Sequence, residues 1–469
     1  NVVLSHTYLN FYQFDIQQDT LKIQDESKVL IFDVFDTVLV RPYKDPNDRF
    51  VHMEQHYNLT SFAKQRVQAE KQALMQGKAS IEEIYSLMPE FNESVMLLEM
   101  EFDYSTIQLN DQMTQYLTHS AQILLTHHSL YSSSFISQML NKFGINADVA
   151  ELNDVKLVSS NTQCVFISCN NETLKKMEAE NIKPVYYRSR MQQLLLKDRF
   201  KRQPTDFSSS VLLGVQQFLE QKDDFWTNLG YQVGGPVVYS FVKYVYDNLG
   251  DRDAVFVSRD GYSLDKAFQV LFNDKNSHYL YCPRTLTKMS TMDLQSYFQQ
   301  IAPVNDFVAV DTITHQYTAQ KLFEKGLHRK VHFMYWTILR QNTNFSYSVF
   351  TEKKVSNWNF MELLMTSPEL PVTGMKGTEP IYQQIPKKYE LLRVEVYKRI
   401  SSGIVEYAQK IYNIFNDFLP VISQKSIIDF VNSYLDTNND DLCQFKYIYH
   451  AGNANHDDYI PLFPKTKEN

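Results

Sequence analysis

Val29-Leu30-Ile31-Phe32-Asp33-Val34-Phe35-Asp36-Thr37-Val38-Leu39-Val40 is the stretch from which the rest of the chain is read. Apolar residues Val29 to Phe32 run into an acidic tip, and a second apolar run follows Thr37. A buried parallel strand ending in a polar loop has this pattern. In open α/β sheets, chemistry collects beyond the carboxyl ends of such strands. The spacing therefore predicts Asp33 at a crevice, with Thr37 just after the turn. The plainer alternative is a strand end whose aspartates cap the next segment.

Composition sets the outer bounds. A chain of 469 residues is too long for one ordinary core, so two or three domains are expected. A formal charge of -8 argues against a general nucleic-acid or membrane-surface binder. No apolar run approaches the roughly 20 residues of a membrane span. The first residues show no basic stretch before an apolar core, so no secretory signal is expected and the expected location is a bacterial cytoplasm. Cys164, Cys169, Cys282 and Cys443 form no CxxC pair, so neither a disulfide framework nor a zinc knuckle is indicated.

Asp33-x-x-x-Thr37 after an apolar strand resembles motif I of the haloacid dehalogenase (HAD) superfamily. Phe32 to Thr37 followed by Arg41-Pro42 resembles a large bacterial branch of predicted HAD-like hydrolases found among surface-polysaccharide genes. The resemblance implies Asp33 as nucleophile. It also implies an acid/base carboxylate two residues later, where this chain has Phe35; the next carboxylate is Asp36. Between the first and second strands, about residues 43 to 119 form a helical block, with a helix from Thr60, a Ser80/Glu83 capping box and a helix opening at Asn92. HAD proteins often place a cap here. Arg66, Glu70, Glu99 and Glu101 follow the branch pattern, and an ordinary solvated helix face would look the same.

The second strand, Ala121 to Leu125, runs into Thr126-His127-His128. The resemblance makes Thr126 the phosphate-binding hydroxyl and leaves a histidine where the family has Asp. The adjacent histidines invite a metal reading, but no second cluster with ligand spacing accompanies them. Lys156 corresponds to the family's motif III lysine. At Cys164 to Thr173 the family's magnesium-holding acids are replaced: Cys169 stands at the first and Leu174 near the second, leaving Glu172 as the substitute ligand beside Asp33. Magnesium favours an oxygen shell that usually includes carboxylates. A degenerate site is expected, with magnesium as a doubtful cofactor.

The second half repeats the strand-to-loop theme. Ala254 to Val257 breaks into Ser258-Arg259-Asp260-Gly261-Tyr262; Tyr279 to Tyr281 ends at Cys282-Pro283-Arg284; Phe307 to Val310 ends at Asp311-Thr312. Arg259, Asp260, Gly261, Arg284 and Asp311 thus form a second candidate cleft. A Gly-containing strand-to-helix turn is expected to present free backbone N–H groups, and Arg259 a forked cation, to a phosphate or carboxylate. A structural Arg–Asp network is the alternative. Gly230 to Pro236 is expected to turn into an apolar helix ending at Gly250, and Tyr389 to Phe418 is expected to be helical, with Leu392, Val396, Ile400, Ile404, Tyr407 and Ile411 inward.

The expected architecture is α/β: a HAD-like Rossmannoid domain over 1–196 with a cap at about 43–119, a linker with linking helices over 197–250, a second Rossmann-like domain over 251–375, and a C-terminal helical region over 376–469. The expected function is that of a HAD-like protein with degenerate motifs, binding a phosphosugar or nucleotide sugar or assisting a glycosyltransferase in surface-glycan biosynthesis. The alternatives are a magnesium-dependent phosphohydrolase acting on a sugar phosphate with Asp33 and Asp36, and a sugar-nucleotide-dependent transferase using the second cleft.

Overall fold

The computed structural model describes residues 12–14, 29–77, 80–119, 123–127, 130–151, 164–201, 204–353, 355–437, 443–451 and 459–462. The chain divides into two compact units. The first comprises Asn1–Lys197, Leu213–Phe218 and Ile414–Pro420; the second comprises Asp198–Leu212, Leu219–Asn413 and Val421–Asn469.

The first unit is built on a six-stranded sheet. Its strands are β1 (Tyr12–Phe14), β2 (Val29–Asp33), β3 (Ile123–His127), β4 (Asp148–Glu151), β5 (Cys164–Ser168) and β6 (Lys183–Tyr187). The spatial order is β1-β6-β5-β2-β3-β4 and every adjacent pair is parallel. From β2 the chain order runs outward in both directions, which makes the carboxyl end of β2 a topological switch point. Every residue of β2 is buried.

The helical block follows β2: α1 (Asp48–Tyr57), α2 (Phe62–Met75), α3 (Ile81–Tyr85) and α4 (Glu93–Thr106). The Ser80/Glu83 capping box is present in full, and Asn92 caps α4 through its side chain. Arg66 and Glu99 do not belong to a solvated face. Both are buried in a forked pair, Nε to Oε2 at 2.7 Å and Nη2 to Oε1 at 2.8 Å, while Tyr85 donates to the same carboxylate. Glu101 alone of that pattern is exposed. A second buried fork joins Arg41 to Asp103, where Nη2 to Oδ2 is 2.6 Å.

The second unit carries a five-stranded sheet of β7 (Asp253–Val257), β8 (Ser277–Leu280), β9 (Phe307–Thr314), β10 (Phe333–Ile338) and β11 (Tyr347–Val349). Its order is β8-β7-β9-β10-β11, again parallel throughout. A separate hairpin pairs Val372–Lys376 with Glu379–Tyr382.

The segment 197–250 is not a tether. Gly230–Gly234 is a π-helical turn continuous with the helix Gly235–Leu249, so the expected turn at the glycines is a helix. The glycines are there for approach: a Cβ at Gly230 would fall on the Ile400 carbonyl, at Gly235 on the Tyr407 ring, and at Gly403 on the Thr227 carbonyl. The helix Lys388–Phe415 therefore packs at backbone distance inside the second unit instead of forming a region of its own. Val396, Ile400, Ile404, Tyr407 and Ile411 face inward as expected, but Leu392 is exposed and Arg393 is buried in its stead.

Candidate functional site

In the first unit, Asp33 ends β2 with its carboxylate buried. Ser168, at the end of neighbouring β5, donates its hydroxyl to Asp33 Oδ2 at 2.9 Å, and the Asn170 N–H fixes that hydroxyl by donating to it at 2.9 Å. Cys169 follows; burial, then Asp36 and Asp33, push its thiol well above the usual range. It remains a neutral thiol. Phe35 stands two residues after Asp33, and the Arg41 guanidinium lies 4.4 Å from its ring centroid. Asp36 sits in the left-handed region at φ 61, within a turn whose N–H groups at Val38 and Leu39 both donate to the Val34 carbonyl. Asp tolerates this conformation better than most residues.

Thr37 is buried, and Asn110 donates to its carbonyl at 2.7 Å and to the Tyr187 hydroxyl at 2.8 Å. Thr126 stands opposite Asp33 in the β2–β3 register. His128 and Lys156 lie outside the described residues. Glu172 is exposed in the first turn of the helix Asn171–Ala179, whose N-cap is Asn170. Among the described residues, no group of three or more His, Cys, Asp or Glu side chains could hold a metal ion.

The second unit assembles a different kind of site. Asp260 follows β7 and Arg284 follows β8, as the sequence predicts, but β9 does not stop at Asp311; it continues to Thr314. Thr312 therefore lies within the strand, and its hydroxyl donates to Asp260 Oδ2 at 2.9 Å while its N–H donates to Asp311 Oδ1 at 2.8 Å. The expected backbone cradle is absent: the Gly261 N–H donates to the Val257 carbonyl and the Tyr262 N–H to the Arg259 carbonyl. A Cβ at Gly261 would strike the end of β7, so this glycine serves the tightness of the turn.

Burial, then the Asp260 carboxylate, push Asp311 up to about 7 against the pull of the Thr312 N–H and Arg284. Glu362 is also pushed up to about 7, first by lost hydration and then by Asp260, with Arg259 and Arg284 opposing. Yet the Glu362 side chain is solvent-exposed. Asp260, Arg259 and Arg284 are the charges that act on it, so Glu362 belongs to the same charge cluster as Asp311.

Three arginines surround these acids in two distinct states. Arg393 is saturated: Nε reaches Glu390 Oε2 at 2.8 Å, Nη1 the Ser367 carbonyl at 2.6 Å and Nη2 the Glu369 carbonyl at 2.5 Å. Arg259 and Arg284 make no side-chain hydrogen bond to protein among the described residues. The nearest carboxylate oxygen to Arg259 Nη1 is Glu390 Oε2 at 3.7 Å. Beyond Arg393, the Glu369 carboxylate gathers hydroxyls from Tyr279 (2.7 Å), Tyr281 (2.5 Å) and Tyr382 (3.2 Å).

Arg259, Asp260, Arg284 and Asp311 are thus electrostatically coupled in one place. Sequence reasoning missed Glu362, Glu390, Arg393 and Glu369, which reach this place from later elements. One signal was available: Glu390, Arg393, Tyr397 and Ser401 follow a helical spacing of three and four on the inward stripe of Lys388–Phe415. No family model matches the chain, and no curated protein matches it either.

Proposed function

We propose that this is a HAD-like protein whose first-unit catalytic motifs have degenerated, and that it acts by binding, as an accessory in bacterial surface-glycan assembly. The observation that supports it is the company Asp33 keeps. The Ser168 hydroxyl donates to it, the adjoining side chain is a neutral thiol, and Phe35 lies under a guanidinium. None of these groups binds magnesium well or delivers a proton to a leaving group. The residues do not fit the metal, and no step is derived through it. Phosphoryl transfer relies on positioned charge, so each missing group costs about 10²-fold or more in rate. Purified protein assayed with a generic aryl phosphate and Mg²⁺ should show no turnover that depends on Asp33. Turnover abolished by Asp33→Asn would overturn the reading.

The charge cluster of the second unit favours a second reading, a sugar-nucleotide-dependent transferase. Asp311 and Glu362, both pushed up to about 7, are suited to accept or donate a proton near neutrality. Release of nucleoside diphosphate from UDP-glucose, lost in Asp311→Asn, would support it; no release with any acceptor sugar would sink it.

A further inference from the structure

We propose that the charge cluster of Arg259, Arg284, Asp311 and Glu362 in the second unit is a binding site for a ring-bearing diphosphate ester, its phosphates held by Arg259 and Arg284 and its sugar or base by the shelf of Tyr281 and Tyr382. The inference deepens, and rests on, the reading of the protein as a binder.

The anion half follows from Arg259, whose Nη1 is buried without an acceptor, and from Arg284, exposed after the neighbouring strand and free of side-chain hydrogen bonds to protein among the described residues. Arg393 shows what a structural arginine looks like in this unit, with every branch hydrogen-bonded. Arg259 and Arg284 stand among Asp260 and Glu362 without donating a hydrogen bond to either. The Nη1 of Arg259 is buried with no hydrogen-bond acceptor. Planar guanidinium forks match phosphate oxygens. They follow β7 and β8, which pair in parallel with Val257 opposite Leu280. Neighbouring strands lie about 4.8 Å apart, a gap that two linked phosphates bridge better than one.

The acids decide against a permanently cationic pocket. Facing Asp311 are Asp260, Arg284, the Thr312 N–H, Cys282 and Tyr335; facing Glu362 are Asp260, Arg259 and Arg284. When protonated, either carboxyl donates to a phosphate oxygen instead of repelling it. A diphosphate therefore binds with proton uptake, and more tightly below neutrality than above it.

The ring half follows from the tyrosines. Arg393, which acts on Asp260, ties the charge cluster to Glu369 through the Glu369 carbonyl, and the Glu369 carboxylate pins Tyr279, Tyr281 and Tyr382 by their hydroxyls. Tyr281 and Tyr382 are half-buried and held together at 3.1 Å between oxygens. Pinned, partly exposed tyrosines offer contact area with little conformational entropy left to lose. Tyr281 and Arg284 lie on the same short stretch after β8, so shelf and anion end adjoin.

Calorimetric titration of the full chain with pyrophosphate, UDP, UDP-glucose and glucose tests this. Pyrophosphate and UDP should bind and glucose alone should not. Arg259→Ala and Arg284→Ala should each weaken pyrophosphate about tenfold or more, as loss of a charged hydrogen-bond pair implies. Arg259→Lys should be intermediate, since it keeps the charge and loses the fork. Tyr281→Ala with Tyr382→Ala should weaken UDP-glucose about threefold to tenfold while leaving pyrophosphate unchanged. If UDP gains over pyrophosphate but UDP-glucose gains nothing further, the shelf takes the base; a further gain assigns it the sugar. The preference for lower pH should shrink in Glu362→Gln. No binding of any phosphate probe, or binding indifferent to both arginines in variants that melt like the parent, overturns the proposal. Binding without release of UDP leaves it standing and defeats only the transferase reading. Asp33-dependent phosphatase turnover defeats the degenerate reading and leaves this site untouched.

Discussion

The residues around Asp33 and those around Arg259 both sit where parallel strands end, yet they are in opposite electrostatic states. In the first unit, cations and acids have found each other: Arg66 holds Glu99, Arg41 holds Asp103, and the Ser168 hydroxyl answers Asp33. Burial alone would raise Asp103, but Arg41 and Arg49 hold it below the usual carboxylate range. In the second unit the acids are pushed up, Arg259 Nη1 is buried without an acceptor, and the exposed Arg284 makes no side-chain hydrogen bond to protein among the described residues. Matched charge makes framework; mismatched charge, held open by a rigid scaffold, is what a ligand can complete.

The largest expected effect breaks a matched pair. Arg66→Ala leaves Glu99 buried and unpaired and should cost about 3–5 kcal/mol in urea denaturation. Gly230→Ala, which forces a methyl group onto the Ile400 carbonyl, should cost about 1–3 kcal/mol or more by the same measurement. Ser80→Ala removes the capping box and should cost about 1 kcal/mol. Arg259→Ala, with no hydrogen bond to lose, should cost less than about 1 kcal/mol in the absence of ligand. A large loss there would place Arg259 with the framework residues and erase the contrast.

Acidity separates the units by sign. Asp103 is lowered, so its contribution is present above its ordinary value of 3.8 and is lost as pH falls below that value. Asp311 and Glu362 are raised from 3.8 and 4.5 to about 7, so the folded state binds more protons than the unfolded chain in that window. Their contribution is fully present at the acid end and is lost as pH rises toward 7. Melting curves across this range should show Asp311→Asn gaining on the parent with rising pH. A constant difference would mean that Asp311 is not raised.

Local features were legible in the sequence because local physics sets them. The apolar run of β2, the Ser80 cap and the Asn92 cap need only neighbours within a turn or strand. The strand-tip positions of Asp260 and Arg284 were readable for the same reason. What escaped was partner choice across long separations. Arg41 and Asp103 are 62 residues apart, and nothing local tells whether Arg66 faces water or Glu99. The continuation of β9 through Asp311 escaped because Thr312 and Thr314 look like loop residues until Ile313 and Thr314 pair with Thr337 and Ile338 of the neighbouring strand. Glu362, Glu369 and Arg393 were hidden by distance in chain order, although all adjoin the charge cluster or its tyrosines.

The glycines at 230, 235 and 403 carry one more implication. Helices that touch backbone to backbone are indexed like gear teeth: a single inserted residue between Gly230 and Gly235 would rotate everything beyond it by about 100° and bring a bulky side chain to the contact. Length changes can accumulate in connecting loops, but at this seam drift in length is blocked. Glu390 and Arg393 thus inherit a fixed register along their helix, whatever happens to the sequence around them.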